Sequence, residues 1–200
     1  MPAEARQWDV YAAQLAQSGA AVACARAAYT AQLCGHVKSC FADMTGGREV
    51  PALRYVSLAA EAAESGEAAA AQVIYDAMRA ELPREIAAGT TLHGVHWDDM
   101  EITLNGGAAK LYASQGQTRA LALAMKLGEG ALSRTVGGEE PVYLLDDVFS
   151  ELDSERRGYL LSALGERQVI ITSCEPETGL ERLAGAALFE VRGGTVTPPR

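Results

Sequence analysis

Two adjacent carboxylates, Asp146 and Asp147, follow the most apolar short run in the chain, Val142-Tyr143-Leu144-Leu145. Such a run predicts a buried strand, and in open α/β sheets ligands bind beyond the carboxyl ends of the strands. A single Asp at a strand exit is often a turn former or a helix cap. Two in succession repel each other unless a cation or a proton is shared. Hard oxygen donors suit Mg2+, which takes one or two protein carboxylates and fills its shell with water and phosphate oxygens. The pair therefore predicts a Mg2+-nucleotide site, with Asp146 on the metal and Asp147 aimed at an attacking water. Turn and cap duty is the competing use of the same residues.

A second candidate lies upstream, where Ser114-Gln115-Gly116-Gln117 opens a helical pattern beginning at Thr118. Small polar residues and one glycine before a helix leave backbone N–H groups and the positive dipole end facing outward, which suits an anion. The same residues can simply cap the helix, through Ser114 or Thr118. Two other clusters carry less. His93, His96, Asp98 and Asp99 contain metal-ligand types, but on extended backbone positions 93 and 96 point to opposite faces. Hydrogen bonding that positions the neighbouring hairpin is the favoured role. Cys24, Cys34, Cys40 and Cys174 are spaced by 10, 6 and 134 residues, no zinc-ligand pattern even with His36 added. They read as buried free thiols.

The elements that must position these residues follow from periodicity. From Glu4 to about Met44 there is no proline, and larger side chains recur at Trp8, Tyr11, Leu15, Val22, Tyr29, Leu33, Val37, Cys40 and Met44. Steps of three, four and seven put them on one helical stripe, with a break possible near Gly19. Gly46-Gly47 stops the run. A strand over Ala52–Leu58 follows, then a linker over Glu61–Ser65 and a helix over Glu67–Leu82 stopped by Pro83. Asn105-Gly106-Gly107 predicts a hairpin between Met100–Leu104 and Lys110–Tyr112. A helix over Thr118–Ser133 leads to the strand Val142–Leu145, the helix Ser154–Leu164 and the strand Val169–Thr172. That order makes a parallel α/β unit with buried strands. A last strand pair, Ala187–Val191 and Thr195–Thr197, meets at Gly193-Gly194.

Composition bounds the function. The 200 residues are 48% apolar and 22% charged, as in a globular chain with a core of its own. Seventeen basic residues against twenty-six acidic leave a net charge of -9, which disfavours coating nucleic acid with bulk positive charge but permits a local basic patch. No apolar run approaches the roughly 20 residues of a membrane span. The first residues lack the build of a signal peptide, so a cytoplasmic location is expected.

Taken in order, these motifs resemble the C-terminal half of an ABC-type ATPase of the SMC-like kind, and their wording is similar to the RecF family. Ser114-Gln-Gly-Gln-Thr-Arg-Ala-Leu-Ala-Leu-Ala-Met-Lys-Leu127 resembles the signature region. Leu144-Leu-Asp-Asp-Val-Phe-Ser-Glu-Leu-Asp153 is close to the Walker B and D-loop run. Thr91-Leu-His-Gly-Val-His-Trp-Asp-Asp-Met-Glu101 resembles a Gly-Pro-His-Arg-Asp-Asp box, with Val95 in place of Pro and Trp97 in place of Arg. Thr172-Ser173 stands where an ABC transporter has a His, in keeping with RecF-like proteins.

The resemblance implies a helical arm over residues 1–88 and the C-terminal lobe of an ABC/SMC-like ATPase, a parallel sheet with flanking helices, over 89–200. It implies an ATP-dependent dimer on gapped or junction DNA, working in replication and recombinational repair with a RecR-like mediator. Ser114 of one protomer would reach the γ-phosphate of ATP bound by the other, supported by Gln115, Gly116, Gln117 and the helix N-terminus. Asp146 would bind Mg2+, Asp147 would act as general base or water positioner, and Ser150 and Asp153 would line the dimer seam. No Gly-Lys dipeptide occurs in these 200 residues, so no G-x-x-x-x-G-K-[ST] phosphate loop is present. The expectation is a fragment without ATPase activity of its own, with ATP and Mg2+ bound only together with the missing P-loop half. The alternatives are a non-enzymatic interaction module with vestigial motifs and, in third place, a standalone metal-dependent hydrolase.

Overall fold

A computed structural model describes residues 3–165, 167–174 and 185–197. The chain forms two compact units, Met1–Val136 and Gly137–Arg200.

The first unit is organised by α1 (Ala3–Thr45), one helix of 43 residues with no break at Gly19. It is followed by β1 (Pro51–Val56), α2 (Ala60–Glu64) and α3 (Glu67–Ala88). The expected stripe is only half right. Leu33, Val37 and Met44 are buried, but Cys40 is only half-buried beside the fully buried Phe41, which the stripe omits, and Tyr11, Leu15, Val22 and Tyr29 are exposed, Tyr11 to 61%. Ala12, Ala16, Ala20 and Ala23 take the inner face there, packed in one cluster with Ala70, Ile74 and Met78 of α3. Small side chains let two helices approach closely, so the large residues that fill this seam come from the partner helix. Gly19 belongs to the same seam, since a Cβ on it would lie 3.4 Å from Ile74 Cδ1. Burial of Ile74 and Met78 stabilises the seam by about 1.5–3 kcal/mol each.

Helix α3 runs through Pro83 instead of stopping before it. Its last turn is tied down by Glu85, which is buried and accepts from the N–H groups of Leu92 (2.7 Å) and His93 (3.3 Å). The helix ends at Gly89, which is left-handed and donates its N–H to the Glu85 carbonyl. The stretch expected as a linker forms α2, whose Ala63 packs into the same cluster.

The sheet of this unit has the order β1-β2-β3, all antiparallel, with β2 at Asp99–Leu104 and β3 at Gly107–Ala108. Asn105 (φ 51) and Gly106 (φ 81) make the turn, as their types predict. The returning strand is Gly107–Ala108 and not the expected Lys110–Tyr112, which with Ala109 forms the helical turn α4. Helix α5 (Gln115–Gly137) follows and lies close to α1, because Gly128 sits where a Cβ would be 3.2 Å from the Val37 backbone nitrogen.

The second unit contains β4 (Tyr143–Asp146), α6 (Ser154–Leu164) and β5 (Val169–Thr172). β4 and β5 are parallel, in register from Tyr143↔Val169 to Asp146↔Thr172. Tyr143 and Leu145 are buried, as are Leu160 and Leu164 of α6. The strands are not buried on both faces, contrary to expectation. Leu144 is 72% exposed and Ile170 58%, although parallel sheets are ordinarily covered on both sides. β6 (Val191–Arg192) and β7 (Thr195–Val196) form a separate antiparallel pair across Gly193-Gly194.

Candidate functional site

In the second unit, the parallel register sets the C-terminal ends of β4 and β5 side by side, with Asp146 opposite Thr172. The Thr172 hydroxyl donates to Asp146 Oδ1 and also accepts from the Asp147 N–H at 3.1 Å. The Thr172 carbonyl accepts from the same N–H at 3.2 Å. The chain then turns sharply. Asp147 adopts left-handed backbone (φ 47, ψ 26), a region uncommon outside glycine but several-fold enriched in Asn and Asp. Ser150, in the 3-10 turn Val148–Glu151, donates its hydroxyl to the Asp147 carbonyl (2.8 Å) and to Asp147 Oδ2 (3.0 Å). Asp147 Oδ1 is buried and lacks a hydrogen-bond partner among the described residues.

Neither carboxylate is paired with a Lys or Arg among the described residues, while Asp153 and Glu140 of the same unit are. No cluster of three or more His, Cys, Asp or Glu side chains suitable for a metal occurs among them either. The two carboxylates are hard oxygen donors of the kind Mg2+ takes one or two of, the rest of its shell being water and phosphate. Asp153 is occupied locally. It caps α6, accepting from the Arg156 N–H (2.9 Å) and pairing with the Arg156 guanidinium (2.7 Å).

In the first unit, Ser114 and Gln117 form a reciprocal capping box at the start of α5. The Ser114 N–H donates to Gln117 Oε1 (2.7 Å), and the Gln117 N–H donates to Ser114 Oγ (3.2 Å). Thr118 adds hydrogen bonds from its N–H and its hydroxyl to the Ser114 carbonyl. Ser114 and Gln115 are exposed, Gly116 and Gln117 half-buried. The first turn of α5 carries no acidic residue, which leaves its positive end available to an anion. Gln117 Nε2 donates to Glu49, a residue of the α1–β1 connection that sequence reasoning missed. Nothing in its local sequence points to that contact, which joins positions 68 residues apart.

The His96 box is structural in the way hydrogen-bond positioning suggests. Asp98, whose side chain is only 3% exposed, accepts from the Arg26 guanidinium (3.2 Å) and from the Tyr55 hydroxyl. Arg26 also donates to the Val95 carbonyl (2.7 Å), and Asp99 Oδ1 accepts from the Met100 N–H. The network ties α1 to the start of β2. Burial, and next the bond to Asp98, pushes the Tyr55 phenol above its usual 10.0. All four cysteines lie outside disulfides, three half-buried and Cys174 exposed, so the expectation of burial holds only in part.

The parallel strand–helix–strand unit and the helical arm together have the fold of an ABC/SMC-like ATPase: two solved structures of the recombination mediator protein RecF, one with ATP and one with ATPrS, superpose with a TM-score of 0.82. They cover 96% of this chain and about half of theirs, at 28% and 27% identity. No protein-family model matches the chain. Among curated proteins it is 37% identical over 193 residues to the DNA replication and repair protein RecF of Geobacter sulfurreducens, covering 95% of this chain and 53% of that one. The RecF of Anaeromyxobacter dehalogenans is 38% identical over 193 residues, covering 92% and 50%. The chain is similar to the RecF proteins over about half the length of the curated relatives it matches. No helix among the described residues is long and apolar enough to cross a membrane.

Proposed function

We propose that this chain supplies the signature and Walker B elements of a RecF-type replication and recombinational repair protein, which binds ATP and gapped or junction DNA as an ATP-dependent dimer. Residues 1–88 serve as the helical arm and 89–200 as the C-terminal lobe. Ser114, Gln115, Gly116 and Gln117 face the γ-phosphate of a nucleotide held by a second protomer. Asp146 is the Mg2+ ligand, Asp147 positions the attacking water, and Ser150 and Asp153 lie along the dimer seam. A RecR-like mediator and DNA are the partners, and the cytoplasm is the location.

The observation that carries this reading is the pair of uncompensated carboxylates at the end of β4, one bonded to Thr172 and the other to Ser150. Mg2+, when bound, neutralises charge on the phosphate oxygens. The chain's own residues do the rest. Asp147, its carboxylate oriented by the Ser150 hydroxyl on Oδ2, is the group to accept a proton from a water placed beside it. The Ser114 turn presents N–H groups and a hydroxyl to an anion. These residues need a triphosphate cradle, and the 200 residues contain no Gly-Lys to make one. The exposed Leu144 and Ile170 face fits coverage by the lobe that carries that cradle.

The test is ATP turnover by this chain alone and after adding the P-loop half of the Geobacter sulfurreducens relative. Background turnover alone and a gain with the added half support the proposal. Robust turnover by the chain alone, abolished in Asp147→Asn, overturns the half-site reading in favour of a standalone hydrolase. No gain, with the two halves shown to associate, favours an interaction module; the exposed Tyr11, Leu15, Val22 and Tyr29 on α1 are its best support.

A further inference from the structure

We propose that Thr172 is the positioning residue for the Asp146–Asp147 pair, an inference that rests on the metal-site reading above. One hydroxyl serves both carboxylate-bearing residues: it donates to Asp146 Oδ1 and accepts from the Asp147 N–H. A hydroxyl has one proton to give and lone pairs to receive, so both bonds form together without competition. The donated proton fixes the Asp146 carboxylate to β5. The accepted N–H, shared with the Thr172 carbonyl at 3.2 Å, holds the peptide plane from which Asp147 turns into left-handed backbone. Ser150 then fixes Oδ2 of Asp147 from the other side.

The consequence is a division of labour between the two acids. Held in extended strand geometry, Asp146 lies on the same exposed face as Thr172, whereas Asp147 is half-buried. Neighbouring carboxylates repel, and without a brace their rotamers would spread to separate the charges. Thr172 prevents this at little entropic cost, because a β-branched side chain in a strand has few χ1 choices. Serine keeps the hydroxyl and loses only the methyl. Valine keeps the shape and loses the hydroxyl.

The experiment uses this chain together with the P-loop half of the Geobacter sulfurreducens relative and ATP, with Mn2+ as the metal probe, reading paramagnetic broadening of this chain's amide resonances around residues 146–150. Wild type and Thr172→Ser should broaden at Mn2+ concentrations within twofold of each other. Thr172→Val should need at least fivefold more, with resonances of α6 unchanged to show that the unit is folded. Thr172→Ala, which removes the hydroxyl and the methyl, serves where the valine variant does not fold, and should show the same loss. Broadening by either hydroxyl-free variant at the wild-type concentration overturns the positioning role. Failure of the wild type itself to broaden near these residues overturns the metal reading and this inference with it, and is seen without any variant.

Discussion

Ser114 and Gln117 satisfy each other across the first turn of α5, each backbone N–H being accepted by the other's side chain. The proposed phosphate-facing serine is thus also the cap of a 23-residue helix, and its two duties separate by substitution. Ser114→Ala should lower stability by about 0.5–2 kcal/mol, the usual loss on removing a capping hydroxyl. Ser114→Thr should preserve most of it. Urea denaturation of the two variants checks this, and equal stability of Ser114→Ala and wild type would show that the capping box contributes nothing.

Asp147 concentrates charge and strain, with one hydrogen bond from the Ser150 hydroxyl to Oδ2 in return. Its Oδ1 is buried without a partner among the described residues, Asp146 is its neighbour, and its φ is 47. Asn tolerates left-handed backbone as well as Asp and removes the repulsion. Asp147→Asn should therefore raise the thermal midpoint by a few degrees while abolishing any turnover gained with the P-loop half, the usual opposition between stability and a working site. A fall in the midpoint would mean that the carboxylate is structurally needed.

Glycine substitutions in the first unit should diverge in sign. A Cβ at Gly128 would lie 3.1 Å from Val37 Cγ2 and 3.2 Å from the Val37 nitrogen, and backbone cannot step aside easily. Gly128→Ala should cost about 1–3 kcal/mol by overpacking. At Gly35, inside α1 and exposed, nothing lies within 4 Å. Gly35→Ala should add about 0.5–1 kcal/mol by helix propensity. Chemical denaturation of both variants measures the contrast.

Alkaline pH should weaken the first unit through Tyr55. Its phenol is held above 10.0 in the folded state, chiefly by burial and then by its bond to Asp98. Between the unfolded and folded values the unfolded chain has lost the proton and the folded one keeps it. This contribution is therefore intact below pH 10 and is lost as pH rises through the folded value. Tyr55→Phe should flatten the fall in stability above pH 10, leaving the share due to Tyr29 and Tyr75, which are raised as well. At neutral pH it should cost about 1–3 kcal/mol, because the buried Asp98 loses a donor. Thermal midpoints from pH 7 to 11 decide the matter; an unchanged slope counts against it.

Local signals settled much of this protein before any coordinates. The boundaries of α6 and β5 are those that periodicity predicts, the Asn105-Gly106 turn is where its types require it, and the order of motifs identified a RecF-like lobe. These depend on interactions within a few residues or on a run of characteristic side chains, and such features are written in the sequence itself. Tertiary structure decided what depends on the partner surface. Which side of α1 faces inward was set by the large residues of α3, so the alanines are buried and Tyr11 and Leu15 are not. Helix α3 passes Pro83, with Glu85 beyond it bonded to Leu92 and His93. Glu49 reaches Gln117, and Thr172 bridges the two acids, because strand register and chain reversal bring together groups separated by 68 and about 25 positions. No spacing rule encodes such contacts; they exist only once the backbone has closed on itself.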